Sequence, residues 1–247
     1  MMQMMIYLSL SILILIWKVT CQDVCNKAVA EISPKNHTYA VNNLEVSRIS
    51  FSSCHLPEDM HVVPNFWSDM RYVSKPDIWL WLGDNMYHDG NDINGKRLEY
   101  NKVREEASYN EYGLVSPTKR VIPIMACWDD HDYGYNDAGS DYPCAEQSQA
   151  EWAHHVNIPN TEPQHPACPD YRPGVYNSRM FRKPGTEESG IHVILLDNRS
   201  ERDPTYSRFG DCKGSATQIL SDTQWAWLES ELEKKSEIKI IGSGVQV

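Results

Sequence analysis

The stretch that decides the fold is residues 121–132, Val121-Ile122-Pro123-Ile124-Met125-Ala126-Cys127-Trp128-Asp129-Asp130-His131-Asp132. Its first half is an apolar run typical of a buried strand, and its second half carries three carboxylates and an imidazole where that strand would end. Because an unpaired buried carboxylate is costly, we expect this cluster to lie outside the core and to need a counter-charge. A metal cation suits it, since carboxylate oxygens and a neutral histidine nitrogen are common ligands. The alternative is a solvated acidic turn.

Two earlier segments show the same arrangement. Residues 76–82, Pro-Asp-Ile-Trp-Leu-Trp-Leu, predict a buried strand that runs directly into Gly83-Asp84-Asn85-Met86-Tyr87. Residues 46–52 predict the first core strand, and Ser53-Cys54 follows it. In open α/β sheets, ligands bind beyond the carboxyl ends of the strands. The sequence therefore predicts that three strand ends converge on one site.

These motifs resemble the PhoD-like alkaline phosphatase family, which belongs to the calcineurin-like metallophosphoesterases. The matching segments are Ser53-Cys54, Gly-Asp-Asn-x-Tyr at 83–87, Trp-Asp-Asp-His-Asp at 128–132 with Gly134 and Asn136-Asp137, Leu-Asp-Asn-Arg at 196–199 and Gln-Trp-Ala-Trp-Leu at 224–228. The resemblance implies an α/β fold of the metallophosphoesterase type, a two-sheet β-sandwich flanked by helices. It also implies a multinuclear metal centre, with residues 46–247 as the N-terminal part of the domain.

The resemblance further implies a set of ligands and a mechanism. Asp84 would bridge two metals, and Cys54 and Tyr87 would complete a site for trivalent iron. Asp130 would bind a second, harder cation such as calcium. A metal-held hydroxide would then attack phosphorus in line, and His131 would act as an acid or hydrogen-bond donor to the departing or non-bridging oxygen.

A second group of polar residues is expected near this site. Its members are Asp129, Asn136, Asp137 and Asp197. Arg199 either pairs with phosphate through its planar guanidinium or forms a structural pair with Asp197, and the sequence favours neither.

The start of the chain predicts export. Residues 4–17 are apolar, too few for a membrane span of about 20 residues but typical of a secretory signal peptide. We therefore expect a signal peptide over residues 1–21, an uncleaved signal anchor being the alternative, and a lead-in segment over 22–45. Asn36, in Asn-His-Thr, is a glycosylation sequon. The protein is expected to be secreted.

Cysteine usage agrees with an oxidising compartment. Seven cysteines occur, and six remain if Cys21 leaves with the signal peptide. Cys144, Cys168 and Cys212 lie in loop-like sequence and are the best candidates for disulfide bridges, whose pairing the sequence does not give.

The net charge of −11 limits the choice of partners. An acidic chain without basic clusters is a poor ligand for nucleic acid or anionic membrane, so we expect no nucleic-acid binding and no stable membrane span. A phosphate ester substrate remains compatible, because bound cations invert the local field. The sequence does not indicate an oligomeric state.

The remaining elements follow from periodicity. Helices are predicted at 65–73, 93–112 (on the surface) and 145–155, strands at 176–182, 190–196 and 238–247, and a proline-rich loop at 157–176. Ser221 and Gln224 predict a capping box at the start of a last helix that ends near residue 235. Trp225, Leu228 and Leu232 would form its apolar face.

The function that these features favour is hydrolysis of phosphate esters by a secreted metal-dependent enzyme. The family's later Gly-Asp-x-His segment does not occur in the 247 residues, so we expect the sequence to be part of a longer protein. One alternative is a catalytically silent secreted module that binds metal and mediates interactions. Another is a plain acidic globular domain without metal.

Overall fold

The structure is a computed structural model that describes residues 25, 38–59, 65–106, 121–204 and 218–245. Its first sheet has four parallel strands in the order β1-β4-β3-β2. These are β1 (Thr38–Tyr39), β2 (Ile49–Ser52), β3 (Ile78–Leu82) and β4 (Pro123–Cys127). The two apolar runs form the central strands β3 and β4, which are buried along almost their whole length because both neighbours are strands.

A crossover helix connects β2 to β3, as predicted. Helix α1 (Phe66–Asp69) continues as a π-helical turn over Met70–Ser74, and Lys75 ends it in the left-handed conformation, with φ of 48°. Trp67 packs against Trp79 and Trp81 of β3, with ring centroids 5.6 and 5.8 Å apart. This aromatic contact holds the helix on the sheet, and the predicted βαβ unit is confirmed.

The predicted lead-in segment is not merely a lead-in, because its end forms part of the fold. Thr38 and Tyr39 make up β1, in register with Pro123 and Ile124 of β4. Cys25 forms a disulfide with Cys144. The strand was missed because two residues give no periodicity to detect.

The second sheet has three strands in the order β5-β6-β7. They are β5 (Asn177–Arg182), β6 (Ser189–Leu195) and β7 (Ile238–Gly242); β5 and β6 are antiparallel, and β6 and β7 are parallel. All three were predicted, although β7 ends at Gly242 rather than continuing to 247. Phe181, Val193 and Leu195 pack in the same core as the first sheet, so the described residues form a mixed α/β structure with two sheets.

Four further α-helices occur in the described residues, besides a 3₁₀ turn over Pro57–Asp59. They are α2 (Ile93–Glu105), α3 (Asp130–Tyr133), α4 (Ala145–Val156) and α5 (Asp222–Glu233). Helix α2 lies at the surface as predicted, with Leu98 exposed, but its other face, with Lys96, Tyr100 and Val103, is buried. It ends at Glu105, short of the predicted 112. Helix α2 is held to α4 by the guanidinium of Arg97, whose Nη2 donates to Glu151 Oε1 at 2.6 Å. Residues 157–176 contain no helix or strand, as predicted.

Helix α5 differs from the prediction in its cap and in its buried face. Ser221 Oγ accepts a hydrogen bond from the Gln224 N–H at 3.2 Å, but the Gln224 side chain binds Asp197 instead of returning to Ser221. Leu228 is buried with Ile194 and Leu196, whereas Trp225 and Leu232 are 51% and 43% exposed. The helix therefore buries a mixed face on which Gln224 and Glu231 replace two of the expected apolar side chains.

Several predictions fall on other parts of the chain. The signal peptide, Asn36 and Cys212 lie outside the described residues. Cys168 is a free, buried thiol, so its assignment as a bridge former is wrong. No helix in the described part of the chain is long and apolar enough to cross a membrane.

Candidate metal centre

The site lies where β2, β3 and β4 end at the same edge of the first sheet. The pairings Ser52↔Trp81 and Leu82↔Cys127 align these ends. The segments that follow β2 and β3 remain hydrogen-bonded to each other, since the Cys54 N–H donates to Gly83 O at 3.2 Å. The three strand ends converge as the sequence predicted.

The backbone around the site is bent into unusual conformations. Cys54, Asp84 and Asp137 have φ values of 56°, 48° and 59°, in a region that side chains other than glycine rarely adopt. Such conformations persist only where the surrounding structure enforces them, and they concentrate at functional sites. Gly83, with φ of 97°, allows the close approach of β3 to β4, because a Cβ there would lie 2.7 Å from Asp129 Cβ.

Three side chains at this edge offer ligand atoms that all lie within 4.8 Å of one another: Asp84, Asp130 and His131. Cys54 Sγ lies 3.8 Å from Asp84 Oδ2. The Tyr87 hydroxyl hydrogen-bonds to the Cys54 and Asp84 side chains. All five residues predicted for the metals and the acid are thus brought together in one cluster.

The electrostatics of the cluster fit a cation. Burial, followed by repulsion from Asp129 and Asp130, raises the pKa of Asp84 to about 6, while His131 opposes the shift. Burial and the hydrogen bond to Cys54 also raise the pKa of Tyr87 well above its usual value. A bound cation would favour the anionic forms of both groups, because opposite charge at this distance lowers an acidic pKa. The donor chemistry of the cluster therefore fits a metal ion.

His131 is oriented by a residue that the sequence interpretation missed. Its Nδ1 lies 2.6 Å from Asp89 Oδ1, and its ring packs on Tyr87 with centroids 4.3 Å apart. An ionised carboxylate only accepts hydrogen bonds, so Nδ1 carries the proton in this pair and Nε2 remains for another partner. The available signal was the position of Asp89 in the same segment as Asp84 and Tyr87.

The guanidinium of Arg199 contacts the acidic cluster and not the carboxylate of Asp197. Its Nε donates to Asp129 Oδ1 at 2.6 Å, and its terminal nitrogens lie 3.6 Å from Asp130 Oδ1 and 3.8 Å from Asp137 Oδ1. The side chain is only 4% exposed. The alternative of a structural Asp197–Arg199 pairing holds for the backbone, because the Arg199 N–H donates to Asp197 Oδ1 at 2.9 Å. The guanidinium is instead the counter-charge of three other carboxylates.

Asp197 is a structural anchor in this arrangement. Its Oδ1 accepts a hydrogen bond from Trp128 Nε1 at 2.8 Å, and its Oδ2 accepts from Ser200 Oγ at 2.7 Å and from the Val175 N–H at 2.8 Å. These bonds tie the end of β6 to the end of β4. They satisfy the Asp197 carboxylate, so its position is explained without a role as a metal ligand.

The segment after α3 closes the cluster from the other side. The Asp137 N–H donates to Asp130 Oδ2 at 2.7 Å, which fixes that carboxylate. Asn136 is exposed, and its Nδ2 donates to Asp137 Oδ2 at 3.0 Å.

Asp132 departs from the expectation that the whole acidic cluster lies outside the core, because it is fully buried. Its carboxylate accepts hydrogen bonds from the Asn85 N–H at 3.1 Å, the Asp129 N–H at 3.2 Å and Tyr100 Oη at 3.0 Å. Burial, followed by repulsion from Asp84, raises its pKa to about 7. Hydrogen bonds, which the sequence does not display, make this burial tolerable.

The comparisons with known proteins support this fold. No model of a protein family matches the sequence, and no curated protein does. A solved structure described as "Structure of PhoD" is similar, with a TM-score of 0.50 and 16% identity over 82% of this chain and 42% of that one. The PhoD-like fold expected from the motifs is thereby confirmed. The chain spans less than half the length of that PhoD chain.

Proposed function

We propose that this chain is part of a secreted metal-dependent hydrolase of phosphate esters. The observation that carries the proposal is the placement of Asp84, Asp130 and His131 within 4.8 Å of one another, at the ends of parallel strands in a PhoD-like fold. Clustered acidic oxygens beside a histidine, at the position where α/β folds bind ligands, support metal-assisted hydrolysis more directly than a structural role.

In this proposal the ligands divide between two kinds of cation. Asp84 would contribute to both sites, Cys54 and Tyr87 would complete one that suits iron, and Asp130 would hold the other cation, such as calcium. Thiolate and phenolate are anionic donors suited to a trivalent ion, whereas carboxylate oxygens suit a hard divalent one. When bound, the cations would polarise the phosphoryl group and supply the nucleophile.

The chain's own residues then orient the groups and move the proton. His131 is the proposed proton donor to the departing oxygen through Nε2, which requires the imidazolium with protons on both ring nitrogens, and Asp89 fixes the ring by accepting from Nδ1. Arg199 holds Asp129, Asp130 and Asp137. These contacts support a role for Arg199 in ordering the carboxylates more than in binding the phosphate, for which its fork would have to be released.

Two further parts of the proposal concern the architecture and the compartment. We propose that the two sheets belong to a β-sandwich of the metallophosphoesterase type. The Cys25–Cys144 disulfide supports secretion, because such bonds persist in oxidising compartments.

The experiment is metal analysis of the full-length secreted protein, together with assays on phosphate mono- and diesters. Asp84→Asn removes one charge from the bridging position and is expected to lose at least one metal per chain and almost all turnover. The matched control is Glu187→Gln, which alters a largely exposed carboxylate paired with Arg182 in the second sheet. Unchanged metal content in Asp84→Asn would remove Asp84 from the site. Metal without hydrolysis in the wild type would favour the silent binding module, and no metal at all the plain acidic domain.

A further inference from the structure

Lys96 places a fully buried ammonium group directly behind the candidate metal centre. The residue is 0% exposed. Its Nζ donates to the carbonyl oxygens of His88 at 2.9 Å, His131 at 3.0 Å and Gly134 at 3.1 Å, and lies 3.5 Å from that of Asp132. An ammonium has three N–H donors, so the three shorter contacts use them all.

The acceptors belong to the two segments that form the catalytic pair. His88 immediately precedes Asp89, and His131 is the partner of Asp89. One ammonium therefore holds the backbone on both sides of the Asp89–His131 hydrogen bond. The third acceptor, Gly134 O, lies just beyond α3 and ties the end of that helix to the same point.

The charge of Lys96 is matched to this position. Burial lowers the pKa of Lys96 to about 8, and the carboxylates of Asp132, Asp89 and Asp130 oppose that shift. The ammonium thus lies in a field of acidic groups while donating only to neutral carbonyls. It is well suited to order the loops without competing for the carboxylate oxygens that a metal would use.

The helix that carries Lys96 is fixed against the same loop. A Cβ at the preceding Gly95 would lie 2.3 Å from His88 Cε1 and Nε2, so the first turn of α2 touches the His88 ring directly. The absence of a side chain at Gly95 brings Lys96 within reach of His88 O. The position of the Lys96 ammonium is therefore set by two consecutive residues, Gly95 and Lys96.

We propose that Lys96 is a positioning residue that sets the distance and tautomer of the Asp89–His131 pair by clamping the backbones of both segments. The inference rests on the proposed function only for the role given to His131. The clamp consists of hydrogen bonds, so it does not depend on whether the chain hydrolyses a phosphate ester.

The test is the ¹⁵N spectrum of the His131 imidazole in the full-length chain, kept free of paramagnetic metal. It is recorded as a pH series that stays below 8, so that the Lys96 ammonium, whose pKa is about 8, is retained while the shifts of the neutral ring report its tautomer. The wild type is expected to show the Nδ1–H tautomer that Asp89 selects. Lys96→Met keeps the length of the side chain but removes its donors, and it is expected to shift the ring toward the Nε2–H form usual for free imidazole. Wild-type nitrogen shifts in Lys96→Met would overturn the proposal.

Two variants on the same helix separate positioning from general damage. Lys102→Met removes an exposed ammonium that pairs with Glu99, and it is expected to leave the tautomer unchanged. Val103→Ala removes buried methyl groups about two turns from Lys96 and is expected to lower the melting temperature while keeping the tautomer. A tautomer shift in Val103→Ala equal to that in Lys96→Met would contradict a specific role for Lys96.

A measurement on the wild type covers the case in which Lys96→Met does not fold. The ammonium is expected to give a slowly exchanging ¹⁵N resonance with couplings through its hydrogen bonds to the carbonyl carbons of His88, His131 and Gly134. A rapidly exchanging or uncoupled resonance would overturn the clamp.

Activity measurements then separate the proposed clamp from the proposed hydrolysis of phosphate esters. In a hydrolytically active wild type, Lys96→Met is expected to lower kcat about 10–100-fold, as loss of an outer-shell partner does, with metal content and KM nearly unchanged. A wild type without hydrolytic activity but with the predicted tautomer and couplings would leave the clamp intact and remove the proposed function.

Discussion

The side chain of Gln224 binds the backbone of Asp197 at two points. Gln224 Oε1 accepts a hydrogen bond from the Asp197 N–H at 2.8 Å, and Gln224 Nε2 donates to Asp197 O at 2.9 Å. Gln224 is only 1% exposed, so water does not replace either bond. This amide links the first turn of α5 to the end of β6, and the carboxylate of the same Asp197 continues the link to Trp128 beside the acidic cluster.

Gln224→Leu is expected to destabilise the protein by about 2–4 kcal/mol, because two buried backbone groups lose their partners. Chemical denaturation measures this change. Glu229→Gln, an exposed position on the same helix, serves as the control and is expected to stay within about 0.5 kcal/mol of the wild type. A loss no larger than that of the control would show that Asp197 finds other partners.

Arg199→Met is expected to cost about 2–4 kcal/mol in metal-free protein, because it leaves the buried Asp130 and the partly buried Asp129 and Asp137 without their cation. Added calcium should recover part of this loss, since a bound cation supplies the missing charge. The readout is the free energy of unfolding with chelator and with calcium. Arg182→Met, in the second sheet, alters a pair with the exposed Glu187 and should cost at most about 1 kcal/mol in either condition. Equal losses for Arg199→Met with and without calcium would argue against a shared role.

Metal affinity is expected to depend on the protonation of Asp84. Its pKa of about 6 lies above the usual value of 3.8, so the metal-free fold retains this proton to a higher pH than the unfolded chain does. Ionising Asp84 therefore costs stability as pH rises from about 4 to 6, and metal binding reverses that cost. Affinity should fall by about tenfold per pH unit below 6. Calorimetric titration in two buffers, which counts released protons, tests this; a flat profile would exclude Asp84 as a ligand.

His131→Ala in the full-length enzyme is expected to reduce turnover by about 10²–10⁴-fold while most of the metal remains. The loss should be larger on an alkyl phosphate than on a nitrophenyl phosphate, because the better leaving group needs little protonation. Asp89→Asn should show the same dependence with a smaller loss of about 10–100-fold. Equal losses on both esters would show that His131 orients non-bridging oxygens, and loss of metal in His131→Ala would identify it as a ligand.

Tyr100→Phe tests the buried hydrogen bond to Asp132. The bond lowers the raised pKa of Asp132, so it stabilises the ionised form. Its removal is expected to cost about 1.5–3 kcal/mol above pH 7, and the cost should decline as pH falls and Asp132 is protonated. The free energy of unfolding of Tyr100→Phe and the wild type, measured at pH 8 and at pH 5, gives the cost at each pH. Tyr171→Phe is the control: it removes a hydrogen bond to the neutral Gln149, so its cost in unfolding free energy should not change between pH 8 and pH 5.

Six of the seven strands in the described residues could be predicted because their sequence is continuous and apolar or alternating; the two-residue β1 could not. The convergence of Cys54, Asp84 and Asp130 followed from the rule that parallel strands end at one edge. These inferences needed only local patterns and one general property of α/β sheets. The α/β class and the position of the candidate site were therefore accessible from local patterns, whereas the PhoD-like fold and the ligand roles were implied by the resemblance of the motifs.

The contacts that organise the site were not accessible in this way. Lys96 and Gln224 look like ordinary residues of amphipathic helices, and their roles depend on backbone groups distant in the chain. Trp225 and Leu232 have the spacing of a buried face, yet α5 is turned so that Gln224 and Glu231 face inward. Glu231 finds a partner there in His192, with 3.0 Å between Oε2 and Nε2. Side-chain periodicity reports apolar surface and is insensitive to buried polar pairs.

The Cys25–Cys144 bond implies an order of maturation for the chain. Its two ends are separated by 119 residues, and β1 hydrogen-bonds only to β4 among the described strands. During synthesis from the N-terminus, Thr38 and Tyr39 have no strand to join until Pro123–Cys127 has emerged, and Cys25 has no native disulfide partner until Cys144 follows. Among the described strands, β1 is the first in sequence, yet it can join its sheet only once β4 is present. The native Cys25–Cys144 bond can therefore form only after all four strands of the first sheet, and the motifs at their ends, have been synthesised.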